Sequence, residues 1–136
     1  MQTLYVMLGV PGSGKSTVAA ALSAGAGAFI CSTDKHHYVN GVYQFQPDKL
    51  AEYHQRNQAE AIELLRGGLS VVVDNTNIRR SHAKPYVAEA VRLGVPVVFV
   101  RCEGRFPNLH GVPVERVEQM RVQMETLTVE TVLAAG

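Results

Sequence analysis

The segment GVPGSGKS, Gly9 to Ser16, has the residue types and spacing of a loop that holds a phosphate chain. Glycines let successive backbone N–H groups turn inward around an anion. A lysine at the end of such a loop reaches the β and γ phosphates, and the serine after it offers a hydroxyl to Mg²⁺. The pattern therefore predicts an ATP site, with Lys15 as a catalytic cation and Ser16 as a metal ligand. The predicted ATP-binding residues are Gly12, Ser13, Gly14, Lys15, Ser16 and Thr17.

Two acidic residues each follow a short apolar run and could complete this chemistry. Asp34 comes after the second predicted strand, where a carboxylate could take the proton of a hydroxyl that attacks the γ-phosphate. The alternative is that Asp34 only caps a turn. Asp74 follows Val71, Val72 and Val73 and resembles the acid that holds Mg²⁺ in phosphate-transferring proteins.

Polar and basic residues near these acids are candidates for contacts with an acceptor. Asn75, Thr76 and Asn77 follow Asp74 directly and could bind a sugar or a phosphate, although an Asx-type turn also explains them. In the loop 102–112, Arg105 and Arg101 are the nearest candidates for a cation that neutralises the transferred phosphoryl group, and solvated surface arginines are the alternative.

Two further polar residues lie on a predicted helix over 47–66. Asn57 falls on its apolar stripe and His54 precedes it by three residues. Because a polar side chain on an inward face needs a hydrogen-bond partner, the preferred interpretation is a structural network, and a substrate contact is the alternative.

The elements that must position these residues alternate along the chain. Strands are predicted at about 3–8, 28–32, 69–74 and 95–101, and helices at about 15–24, 47–66, 80–93 and 113–126. Ser81 is the predicted N-cap of the third helix. Alternation of short strands with longer helices predicts an α/β fold, a parallel β-sheet with helices on both faces. Ligands of such sheets bind beyond the carboxyl ends of the strands, where the candidate residues fall.

Composition places few further limits on function. A chain of 136 residues with 46% hydrophobic residues and a net charge of +1 is expected to form one domain, 1–136, and the charge excludes neither a nucleic acid nor a small-molecule partner. The longest apolar runs are strand-sized and no signal peptide is recognised, so no membrane contact and a cytoplasmic location are expected. Cys31 and Cys102 are interpreted as buried hydrophobes without a disulfide partner.

Several motifs in order along the chain resemble the phage-type polynucleotide 5′-hydroxyl kinase family of P-loop proteins. The similarity is greatest to a branch of small AAA-like and zeta-toxin-like ATP-binding proteins that carry VDNTN and HGVP motifs and are related to the kinase domain of a ubiquitin-ligase-binding protein. The matching pieces are GVPGSGKST at 9–17, STD at 32–34, GVYQF at 41–45, the segment 54–58, VVVDNTN at 71–77, KPY at 84–86 and NLHGVP at 108–113.

The resemblance implies a P-loop NTPase with an adenylate-kinase-like core that binds ATP and Mg²⁺, with Asp34 as general base. It also implies that the 5′-hydroxyl of a nucleic acid end lies between Asp34 and the tip formed by residues 75–77. His37 stands where the phage enzymes have an arginine that holds the acceptor phosphate. Lys35 stands where the family usually has a second acid, and Pro107 where the lid usually has an arginine.

Three functions follow as hypotheses. The first is phosphoryl transfer to a nucleic acid end. The second is a nucleoside or sugar kinase, and the third is a nucleotide-binding switch without catalysis. For the first, Arg79, Arg80 and Lys84 are expected to converge with Lys35, His36 and His37 on the acceptor, although Arg79 and Arg80 could also face solvent.

Overall fold

The structure is a computed structural model and describes residues 1–107 and 111–135. Its elements along the chain are β1 (Leu4–Leu8), α1 (Lys15–Ala26), β2 (Phe29–Cys31), β3 (Tyr38–Val39), β4 (Val42–Tyr43), α2 (Leu50–Arg66), β5 (Val71–Val73), α3 (Arg80–Leu93), β6 (Val97–Arg101), α4 (Val114–Gln123) and α5 (Val129–Leu133). Short 3-10 segments at Thr33–His37 and Pro47–Lys49 precede β3 and α2.

Four parallel strands form the central sheet in the order β2–β5–β1–β6. In this register Leu4 of β1 lies opposite Val71 of β5 on one side and Val97 of β6 on the other. The apolar run of β5 is fully buried, as expected for a strand that is covered on both faces. Because β1 and β5 are neighbours and parallel, the loop after Leu8 and the acid after Val73 leave the sheet at the same edge.

Helices cover both faces of the sheet, and the predicted α/β fold is confirmed. Alternate side chains of β1 point to opposite faces. Leu4, Val6 and Leu8 share a buried cluster with residues of α2, α3 and α5, whereas Met7 shares a second cluster with Ala19 of α1. A third cluster joins α4 to the edge of the sheet that carries the phosphate loop, through Val10, Ile78 and Val117.

The structure differs from the predicted elements at four places. The irregular stretch 34–46 contains a hairpin, β3–β4, and α2 starts at Leu50 after a 3-10 turn. Helix α4 ends at Gln123 because Met124 is extended, with ψ of 124°, and the N–H of Glu125 donates to the carbonyl of Ile78 at 2.7 Å. Helix α5 was not predicted. It packs against α3 and begins with a capping box between Thr128 and Thr131.

Within residues 1–107 and 111–135, no helix combines the length and the apolar character needed to cross a bilayer.

Candidate active site

Ser16, Lys15 and Asp74 meet at the carboxyl edge of the sheet. The Ser16 hydroxyl donates to Oδ2 of Asp74 at 3.1 Å, and the Lys15 ammonium lies 3.5 Å from Oδ1. Both charged side chains are about nine-tenths buried, which is tolerable because they form an ion pair. The two predicted metal ligands, Ser16 and Asp74, come from separate motifs, and the structure brings their oxygen atoms into direct contact.

This pair fits a bound Mg²⁺. The ion prefers oxygen ligands and usually keeps several waters, so one hydroxyl, one carboxylate and the phosphates suffice. Oδ1 of Asp74 is buried and has no hydrogen-bond partner among the described residues, since Lys15 is too distant to donate to it effectively. A buried acceptor without a donor is the atom that a metal-bound water would satisfy.

The backbone of the phosphate loop requires its glycines. Gly12 and Gly14 have φ of 83° and 87°, a region that favours glycine. A Cβ atom on Gly9 would lie 2.2 Å from the Ser13 hydroxyl oxygen. The N–H of Gly9 donates to the carbonyl of Thr76 at 3.0 Å, so the loop is tied to the strand tip after Asp74.

Asp34 lies in the 3-10 segment Thr33–His37 after β2. The segment is attached to the tip after β5, because the N–H of Thr33 donates to Oδ1 of Asn75 at 2.9 Å. The side chain of Tyr43, from the hairpin, is hydrogen-bonded to the Asp34 carboxylate. A candidate base and a candidate metal ligand are thus connected through one short bridge from Thr33 to Asn75.

A pocket of about 300 Å³ opens beside this bridge, between α2 and α3. Its lining is His54, Gln58, Asn75, Thr76, Asn77, Ser81, His82 and Tyr86. Nδ1 of His54 lies 3.0 Å from the Thr33 hydroxyl, one residue from Asp34. Burial lowers the pKa of both His54 and His82, so at neutral pH the lining is polar and uncharged.

Some polar groups of residues 75–77, the predicted acceptor-binding tip, form structural hydrogen bonds, and others have no partner among the described residues. Asn75 holds Thr33, and Asn77 is 1% exposed with Nδ2 donating to the carbonyl of Met7 at 2.7 Å. Oδ1 of Asn77 is buried without a partner among the described residues, and the residue lines the pocket. On α2, Asn57 donates to the hydroxyl of Tyr86 at 2.9 Å, in agreement with the predicted structural network. His54 also lines the pocket, and its bond to the Thr33 hydroxyl agrees with the same prediction.

His37 is placed differently from the expectation that it contacts the acceptor phosphate. The residue is 0% exposed, and its ring lies 5.0 Å from the ring of Phe45 and 4.8 Å from that of Tyr53 between centroids. Its Nδ1 accepts the N–H of Gln46 at 3.1 Å. In this arrangement His37 organises the segment 38–46, and a surface ligand does not reach its ring.

The two candidate arginines, one at the end of β6 and one in the loop after it, are each paired with a nearby acid. Arg105 pairs with Glu118 of α4 at 3.1 Å and Arg101 pairs with Glu103 at 2.8 Å, both with exposed side chains. Asn108, Leu109 and His110 of the NLHGVP motif lie outside the described residues. Sequence reasoning missed Arg121, whose side chain is 16% exposed and donates to the carbonyl of Gly104 at 3.1 Å.

The expected convergence of basic residues on the acceptor side does not occur in the described parts of the chain. Arg80 donates to the carbonyl of Thr126 at 3.0 Å, and Lys84 donates to the carbonyl of Ala135. Lys35 forms an ion pair with Glu60 on α2. Arg79 remains exposed, close enough to His82 for its charge to lower the pKa of that ring.

The sequence is similar to a known protein family and to part of a human protein. A family model described as an AAA domain matches residues 4–132. The human protein NEDD4-binding protein 2 is 35% identical over 128 residues, an alignment that covers 86% of this chain and only 7% of that protein. The chain is thus similar to a small part of a much longer relative.

Two solved structures share the architecture at low sequence identity. A sugar kinase from Janibacter superposes with a TM-score of 0.62 at 14% identity, covering 98% of this chain and 91% of that one. A chain of the Pnkp1/Rnl/Hen1 RNA repair complex superposes with a TM-score of 0.59 at 18% identity, covering 98% and 43% respectively. Identities this low show the kinase-like P-loop fold and nothing finer.

Proposed function

The chain belongs to the AAA domain family, and from this premise we propose that it is an ATP-dependent phosphotransferase. The observation that carries the proposal is the bond from the Thr33 N–H to Asn75. It joins the segment that bears Asp34 to the strand tip that bears Asp74. A phosphate-binding half and an acceptor-binding half therefore share one sheet edge, as transfer between two bound substrates requires.

Each half has a defined chemical part. The amides of the phosphate loop and the Lys15 ammonium bind the β and γ phosphates of ATP. Mg²⁺ held by Ser16 and Asp74 would neutralise charge on these oxygens. Asp34 accepts the proton of the acceptor hydroxyl, whose oxygen forms a bond to the γ-phosphorus while the bond between that phosphorus and the β,γ-bridging oxygen breaks. The products are ADP and a phosphate monoester.

The proposed acceptor is the 5′-hydroxyl of a nucleic acid end. The pocket beside Asp34 has about 300 Å³ and neutral hydrogen-bonding groups, which suit one nucleoside. Arg79 is exposed near the pocket residue His82 and offers a contact to the next phosphate of the chain. Similarity to a chain of an RNA repair complex is consistent with this acceptor.

A second candidate, a nucleoside or sugar kinase, is favoured by the bonds of the neighbouring cations. Arg80 and Lys84 donate to backbone carbonyls of the C-terminal segment, so they add little attraction for a polyanion. An uncharged pocket also suits a neutral polyol, and the Janibacter neighbour is a sugar kinase. Under the third hypothesis, a nucleotide-binding switch without catalysis, no acceptor hydroxyl binds and Asp34 has no role as a general base.

Transfer of labelled γ-phosphate to an oligonucleotide with a 5′-hydroxyl, to nucleosides and to sugars tests these functions together. We expect the oligonucleotide to be phosphorylated and its 5′-phosphorylated counterpart to be inert. Asp34→Asn should slow transfer by about 10²-fold or more with little change in ATP affinity. Asp48→Asn, which changes an exposed acid on the same side of the sheet, is the matched control.

The outcomes separate the candidates. Faster transfer to nucleosides or sugars than to the oligonucleotide replaces the nucleic acid acceptor by the small-molecule one. ATP binding without transfer to any acceptor, unchanged by Asp34→Asn, supports the switch. Normal transfer by Lys15→Ala would remove the phosphate loop from the mechanism.

A further inference from the structure

The segment 102–107, which follows β6, lies against the outer side of the phosphate loop. The N–H of Phe106 donates to the carbonyl of Gly12 at 2.8 Å, and the N–H of Gly104 donates to the carbonyl of Ser13 at 3.1 Å. Arg121 of α4 supports the segment from behind through the carbonyl of Gly104. Two backbone bonds and a side-chain bond therefore fix the segment relative to the loop.

These bonds hold the ring of Phe106 beside Gly14. A Cβ atom on Gly14 would lie 3.2 Å from Cε2 of the ring. Although it touches the loop, Phe106 is 65% exposed. A large apolar ring that is held in place and still faces water gains free energy when a flat apolar partner covers it.

The order of the strands indicates what that partner is. Asp34 and the pocket follow β2 and β5, which lie on one side of β1. Phe106 follows β6, on the other side of β1. A nucleotide whose γ-phosphate faces Asp34 must carry its base at the opposite end of its phosphate chain, which is the side of β6.

We propose that the exposed face of Phe106 is the stacking surface for the base of the nucleotide bound at the phosphate loop. This inference rests on the proposed function, because it takes the loop as a nucleoside triphosphate site. Other exposed aromatic rings are poorly placed for this role. Phe29 starts β2 at the opposite end of the strands, and Tyr38 and Phe45 belong to the hairpin region on the acceptor side.

Stacking on a phenyl ring has a specific consequence for selectivity. Every base has a π face, and purines present a larger one than pyrimidines. The ring has no hydrogen-bonding atom with which to distinguish adenine from guanine. ATP and GTP should therefore bind more tightly than CTP and UTP through this contact.

The test compares the magnesium complexes of ATP and of inorganic tripolyphosphate, which lacks a base, by titration calorimetry. Phe106→Leu should weaken ATP binding about tenfold and leave tripolyphosphate binding unchanged. Phe29→Leu, the same change at a ring that is 50% exposed and far from the loop, should alter neither. Far-ultraviolet circular dichroism verifies that each variant is folded.

A second variant gives a direct optical signal. The chain contains no tryptophan, so Phe106→Trp introduces its only indole. ATP should quench the fluorescence of that indole, whereas tripolyphosphate should leave it nearly unchanged.

Three results would overturn the inference. Equal loss of ATP and tripolyphosphate affinity in Phe106→Leu would mean that the ring acts only on the shape of the loop. Tripolyphosphate binding as tight as that of ATP in the unmodified chain, with no difference among bases, would remove the stacking contact but keep the phosphate site. Failure of both to bind would remove the proposed function and this inference together.

Discussion

The side chain of Tyr43 is hydrogen-bonded to the carboxylate of Asp34, so the β3–β4 hairpin holds the candidate base. Burial and the nearby carboxylate raise the pKa of Tyr43 to about 12. The phenol therefore stays protonated at physiological pH and donates. The hairpin between β2 and α2 thus orients the carboxylate that would receive the acceptor proton.

Tyr43→Phe should slow phosphoryl transfer about tenfold, because Asp34 loses the donor that orients it. The KM for ATP should not change, since Tyr43 lies on the acceptor side. Steady-state kinetics with the preferred acceptor measure both effects. Tyr38→Phe, which removes the hydroxyl of the neighbouring hairpin tyrosine, is the control and should retain full activity. Equal loss in the two variants would attribute the effect to the hairpin as a whole.

The adjacent arginines 79 and 80 should have separate effects. Arg79→Ala should raise the KM for an oligonucleotide and reduce the slope of log affinity against log salt by about 0.7, the value of one phosphate contact on a single strand. Arg80→Ala should leave that slope unchanged and cost about 1 kcal/mol of folding free energy, since it removes the bond to the Thr126 carbonyl. Salt titrations and urea unfolding of both variants measure the difference. If Arg80→Ala also reduced the slope of log affinity against log salt, Arg80 would contact the oligonucleotide, as the predicted basic cluster requires.

Local sequence rules predict the phosphate loop and its flanking elements well. The spacing of glycines is set by backbone angles, and β1, β5 and α1 have strong local preferences. The pair formed by Ser16 and Asp74 then follows from the parallel neighbours β1 and β5. These are consequences of short-range chemistry and of one sheet topology, which is why a single sequence suffices for them.

The N-terminus of α3 shows where local rules fail. Ser81 was predicted as its cap, but the helix begins at Arg80, whose N–H donates to the side chain of Glu125 at 2.9 Å. That carboxylate comes from 45 residues further along the chain, so no local pattern indicates it. The early end of α4, a helix that the apolar period extends to about residue 126, also coincides with a long-range contact, the bond from the Glu125 N–H to the carbonyl of Ile78.

The β3–β4 hairpin was missed although the sequence contains its signal. Asn40 and Gly41, between Val39 and Val42, have φ of 51° and 80°, as a type I′ turn requires. An Asn-Gly pair between apolar residues is a strong short-range hairpin signal. The positions of Tyr43 against Asp34 and of His37 among aromatic rings depend on this hairpin.

Asn77 offers a test of how the strand tip is stabilised. Its φ is 49° and its side chain satisfies the carbonyl of Met7. Asn77→Ala should cost about 3 kcal/mol of folding free energy, from the lost buried bond and from backbone strain. Asn77→Gly loses the same bond without the strain and should cost about 1 kcal/mol less. Chemical denaturation measures both variants, and equal costs would show that the backbone angle contributes nothing.

The pH dependence of acceptor binding should report the state of the pocket. Because burial holds the pKa of His54 and of His82 below the ordinary 6.5, both rings are neutral above that pH and gain a proton only below it. The unfolded chain takes up these protons at higher pH than the folded chain, so folding free energy should also fall as the pH drops below 6.5.

For a neutral part of the acceptor, a charged pocket is a poorer site. The KM for the acceptor should therefore be constant from about pH 8 down to the ordinary histidine pKa of 6.5 and rise at lower pH. The affinity for ATP should not change over the same range, because the phosphate loop lies outside the pocket. Replacement of both rings, by His54→Gln with His82→Gln, should flatten the acid limb of the acceptor KM. A rise in KM that begins well above the ordinary histidine value, or an acid limb unchanged in the double variant, would assign the pH dependence to groups outside the pocket.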